Sequence, residues 1–172
     1  YLRHHADETA KAEDLLTNHP GYQELLAPYF TPKSAKLQAW VNTPYERNMS
    51  HPENLVHRTS NGIFVRSKSE AMIALFLYTN QIPFRYECAL SLGGMTLYPD
   101  FTILHPHTEK VYYYEHFGMM DDAMYAKNTY SKLQLYAAHG IVPSIQLITT
   151  YETKEHPLSY EEISWVCSHY FL

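Results

Sequence analysis

With 172 residues, 45% of them hydrophobic and 18% charged, the chain can fill the core of one globular domain with a small helical annex, and it lacks a disordered protein's make-up. A formal charge of −5 excludes coating of nucleic acid by bulk charge, while a local basic groove stays compatible with it. Two distant cysteines, Cys88 and Cys167, exclude a disulfide scaffold or zinc spacing. No apolar run nears the roughly 18 residues of a membrane span, and no signal-peptide pattern opens the chain, so a cytoplasmic protein without membrane contact is the expectation. The start at Tyr1 rather than Met reads as a fragment of a longer protein.

Taken in chain order, Asp7–Asn18 is rich in helix formers and closed by "NHPG". "GYQELLAPYF" reads as a short helix ended by Pro28, and "SAKLQAWVN" as a third, with Ser34 as cap and Trp40 as anchor. Thr43 to Asn61 is a polar connection. A buried helix is expected from Lys68 to Thr79, apolar nearly all round. "FRYECAL", "LYPDFTIL" and "VYYYEHF" read as strands, the first two separated by a "LGGM" turn. A helix from Ala123 to His139 follows, capped by Asp122 and stopped by Gly140. "PSIQLITTYE" is a last strand and "SYEEISWVCSHYFL" a packing helix. The order αβββαβ implies an α/β domain whose mixed sheet is flanked by helices.

Two of these strands each carry one acid in otherwise apolar surroundings. If Leu104 pairs with Val111, Asp100 falls opposite Glu115 on one sheet face, with Cβ atoms roughly 5 Å apart. A slip of one residue would send one acid to the other face. Opposed carboxylates repel, and a divalent cation with waters and substrate phosphate would reconcile them. Read separately, each acid also fits a solvated strand end. Glu70 completes the capping box "SKSE" from Ser67, and on the first turn of a buried helix it can also face Asp100.

A helix bearing Glu70, a strand bearing Tyr98-Pro99-Asp100 and a strand bearing Glu115-His116-Phe117, in this order, resemble the PD-(D/E)XK nuclease superfamily. The likeness covers about Val65 to Glu152 and extends to a set of uncharacterised bacterial proteins placed in that superfamily. It implies a restriction-endonuclease-like core over 61–172 behind a helical extension and linker over 1–60. It further implies a Mg²⁺-dependent phosphodiesterase acting on nucleic acid, most simply a DNA endonuclease, with Mn²⁺ as substitute. The metal ligands would be Asp100, Glu115, the His116 backbone carbonyl and, through water, Glu70.

One departure stands out: Phe117 occupies the place of the family's lysine. Lys132 and Tyr136, one helical turn apart, match the Gln-x-x-x-Tyr element of RecB-like nucleases with lysine in the glutamine position, so Lys132 is expected to replace the missing base. Arg58, Arg66, Lys68 and Arg85 near the Glu70 helix, with Lys127 and Tyr136 on the later one, are candidate nucleic-acid contacts. Gln134 is rotated away, His105 and His107 are read as turn residues, and His4 and His5 lack an identifiable partner. The resemblance leaves open an inactive binding or assembly module, a homodimer, and a subunit of a larger restriction, transposition or repair complex.

Overall fold

A computed structural model describes residues 14–15, 18–30 and 34–172. The helix expected over Asp7–Asn18 lies mostly outside these. Helix α1 spans Pro20–Phe30 and α2 spans Ala35–Asn42. Pro28 sits inside α1 rather than ending it. A proline forfeits one N–H and crowds one carbonyl a turn earlier, but residues after it can keep helical angles. Ser34 takes the N-cap place of α2 without a side-chain capping bond.

A small hairpin of β1 (His57–Arg58) and β2 (Phe64–Val65) precedes α3, Lys68–Thr79, whose bounds match the expectation. Ser67 caps α3 by accepting from the Glu70 amide. The first expected strand divides into β3 (Phe84–Tyr86) and β4 (Leu90–Leu92), because Glu87 adopts a left-handed φ of 48°. Gly93 and Gly94, both at positive φ, turn β4 into β5 (Met95–Leu97).

The expected strand Leu97–Leu104 is also broken. Tyr98 to Asp100 leave the ladder, and β6 runs only from Phe101 to Leu104. Pro99 explains the break, since it has no N–H to donate and restricts Tyr98. Strand β7 (Val111–Phe117), helix α4 (Ala123–Ala138), strand β8 (Leu147–Tyr151) and helix α5 (Tyr160–Phe171) complete the fold. Strand β8 starts later than "PSIQ" suggested, after a turn with Ser144 at φ 65°.

The central sheet has the order β3-β6-β7-β8, antiparallel except for the parallel β7–β8 pair joined through α4. The chain is therefore α/β, with a mixed sheet flanked by helices. Even-numbered residues of β7 and odd-numbered residues of β6 face α3 and α5. There Phe101, Ile103 and Tyr114 meet Ile73, Leu77, Ile163 and Cys167 in the main core. The other face packs Leu147 and Tyr113 against Tyr136 and Leu133 of α4. No helix among the described residues is long and apolar enough to cross a membrane.

Candidate active site

The β6–β7 register pairs Leu104 with Val111 and Phe101 with Tyr114, as the six-residue link suggested. Asp100 flanks this ladder by one residue, near enough to Glu115 and Lys132 for both charges to act on its carboxyl. The break at Pro99 puts Asp100 at the mouth of the sheet, so it is a strand-flanking residue and not one inside a strand. Its main chain stays fixed, because the Glu87 amide donates to its carbonyl at 3.0 Å. Its side chain accepts a 2.7 Å hydrogen bond at Oδ2 from the His116 amide. The two acids are thus joined through the backbone beside Glu115.

Glu115 is 1% exposed. Lys132 Nζ lies 2.7 Å from its Oε1 and 2.8 Å from its Oε2, and the Tyr136 hydroxyl donates to Oε1 at 2.5 Å. One turn of helix separates these two donors, so α4 presents both to one carboxylate. Glu70 takes the capping role that its sequence allowed, its amide donating to the Ser67 hydroxyl at 3.1 Å. Its Oε1 accepts from the Ser67 hydroxyl at 3.0 Å, which closes the capping box, while Oε2 accepts from Tyr86 at 2.6 Å and from the Arg66 amide at 3.0 Å.

The electrostatics link the groups. Burial first, then the charges of Glu115 and Glu70, push the Asp100 carboxyl well above its ordinary range, against the pull of Lys132 and the His116 amide. Burial likewise raises Glu115, opposed by Lys132 and Tyr136, with Glu70 adding to the rise. Burial works against the Lys132 charge, but Glu115 and Asp100 outweigh it and hold the ammonium above its usual value. The phenols of Tyr86 and Tyr136 are pushed upward by burial and by the adjacent carboxylates, so both remain donors. Glu70, Asp100, Glu115 and Lys132 therefore belong to one electrostatic cluster.

Among the described residues, no three His, Cys, Asp or Glu side chains are grouped to hold an ion by themselves. The carboxylates of Asp100 and Glu115 nevertheless retain acceptor capacity. Of about four lone-pair sites on each, Asp100 spends one on His116, while Glu115 spends two on Lys132 and one on Tyr136. Hard oxygens of this kind suit Mg²⁺ or Mn²⁺, which keep several waters and need only one or two carboxylates.

Other expected contacts are revised. Arg66 is not free for phosphate, because its guanidinium clasps buried Glu87 and the carbonyls of Ser50 and His51. Arg85 lies 4.2 Å over the Trp40 ring and donates to the Trp40 carbonyl. Tyr136 is buried against Glu115, too deep to meet a base. Lys68 and Lys127 are exposed, and Arg58 reaches Gln23 at 3.4 Å. His105 orders its turn by accepting from the amides of His107 and Thr108. Phe117 is buried and stacked on Tyr151, with ring centroids 5.5 Å apart. Sequence reasoning missed Tyr86, which donates to Glu70, and the hydrogen bond from the Ser69 hydroxyl to Glu152 at 3.0 Å. Their one hint is that polar groups at apolar positions need partners, and the partners are distant in sequence.

The chain matches no family model, no curated protein and no solved structure.

Proposed function

We propose that the chain is a nuclease domain of the PD-(D/E)XK kind that hydrolyses phosphodiester bonds, with DNA as substrate. The observation that carries this reading is Asp100 bonded to the His116 amide beside buried Glu115, with Lys132 clasping Glu115 from α4. Asp100, Glu115 and the His116 carbonyl would hold Mg²⁺ or Mn²⁺, with Glu70 acting through water. Bound there, the ion supplies Lewis-acid activation of water and neutralises phosphate charge.

The side chains have separable tasks. The His116 amide fixes the Asp100 oxygen, and Tyr136 fixes that of Glu115, so neither carboxylate must reorganise. Lys132 is part buried beside Glu115, and in this reading its ammonium would stabilise negative charge that develops on a scissile phosphate. It takes over from the family's strand lysine, whose place the buried Phe117 fills. Glu70, held by Ser67, Tyr86 and the Arg66 amide, lends the site a third negative charge.

Incubation with plasmid and single-stranded DNA in Mg²⁺ or Mn²⁺ tests the reading. Cutting by the natural chain that disappears in Asp100→Ala is the expected result, and equal cutting by both contradicts it. One observation favours a second reading, a non-catalytic binding or assembly module of the same fold. Lys132 already neutralises Glu115, so the charge of that carboxylate is balanced without an ion. Absence of any Mn²⁺ binding by the natural chain would favour this module.

A further inference from the structure

A second polar cluster lies on the opposite face of the sheet, behind the acids. Tyr114 donates to the Thr150 hydroxyl at 3.1 Å, and Thr150 lies 3.0 Å from His116 Nδ1. With Tyr114 as donor, the Thr150 hydrogen is left for Nδ1. The remaining His116 proton then sits on Nε2, which faces Glu152 Oε1 at 3.4 Å. Nε2 is buried and makes no hydrogen bond, so Glu152 Oε1 faces it as a polar contact only. The other Glu152 oxygen accepts from the Ser69 hydroxyl at 3.0 Å and from the Leu158 amide at 2.9 Å. Gly118 closes the gap, for a Cβ there would lie 3.3 Å from Glu152 Oε1 and 3.6 Å from His116 Nε2.

The sequence neighbours of this cluster matter. Ser69 precedes Glu70 on α3, and His116 follows Glu115 on β7. We infer that Glu152 is a positioning residue which, from behind the sheet, holds the α3 turn bearing Glu70 and the β7 end bearing Glu115 in one fixed relation through Ser69 and His116. Its effect on turnover rests on the nuclease reading above; its effect on the two backbone segments does not.

Glu152→Gln tests this. Glutamine can still accept from Ser69 and Leu158, but its NH₂ group would meet the His116 Nε2–H donor to donor. Amide hydrogen exchange should then speed up at both Glu70 and His116 while the amides of Lys132 and Tyr136 keep their protection. In the DNA-cutting assay the turnover number should fall about 10- to 100-fold, with KM unchanged, as for groups that orient metal ligands. Gly118→Ala is the second variant. It removes no polar group, presses on the same gap and should loosen the same two amides. Unchanged exchange at Glu70 and His116 in both variants overturns the inference, as does equal loosening of α4. If the natural chain cuts nothing, the nuclease reading fails, and the exchange data still decide whether Glu152 ties the two segments.

Discussion

Asp100 is held beside two other carboxylates, and its raised pKa makes its charge a burden on the metal-free fold. Below the unfolded-state pKa both states carry the proton and the burden vanishes. As pH climbs through the window up to the raised folded value, the unfolded chain releases its proton first, so stability falls. Glu115 shifts in the same direction. Asp100→Asn keeps an oxygen for the His116 amide and removes one charge. It should raise the metal-free melting temperature at pH 7.5 and flatten its decline as pH rises above the ordinary carboxyl range; a gain of about 1 kcal/mol corresponds to roughly 2–4 °C. Thermal melts across pH check this, and a variant that melts lower than the natural chain at neutral pH would contradict it. Stability gained at the expense of a reactive site is a familiar trade.

Among the elements, the β6–β7 pair decides whether the acids can meet. Its register was legible because both strands show a buried face and a six-residue link admits a simple pairing. The bounds of α3 were legible too, from the Ser67 cap and the apolar run behind it. Strand ends were harder to read. Pro99 and Glu87 interrupt segments whose composition favours strands, and a left-handed φ at a glutamate has no sequence signature. Long-range partners such as Tyr86 for Glu70, or Trp40 for Arg85, could not be read because they follow from packing of distant elements. The rings of Phe84, Tyr86 and Tyr114 surround Phe101, which is fully buried one residue after Asp100. Phe101→Ala should cost about 3–5 kcal/mol. Chemical denaturation measures it, and a loss under 1 kcal/mol would mean that β6 is not anchored through this residue.

At the scale of the whole molecule, the charge of −5 and the internal use of many cations shape what can bind. Lys36 pairs with Glu109, Arg66 with Glu87 and Lys132 with Glu115. Arg47 and Arg85 donate to backbone carbonyls. Of the candidate contacts among the described residues, Lys68 and Lys127 are exposed and stay available for phosphate. Each phosphate contact contributes about 0.9 to the salt-dependence slope on duplex DNA. DNA affinity measured against salt concentration should therefore give a shallow slope of about 2, falling by about one in Lys127→Ala. A steep slope would point to basic surface beyond these two lysines.

Calorimetric titration of Mn²⁺ into the natural chain and Asp100→Asn tests most directly the proposed sharing of a divalent ion by Asp100 and Glu115. Saturable binding to the natural chain, lost in the variant, is the predicted result. Equal binding by both, or none by the natural chain, would contradict it.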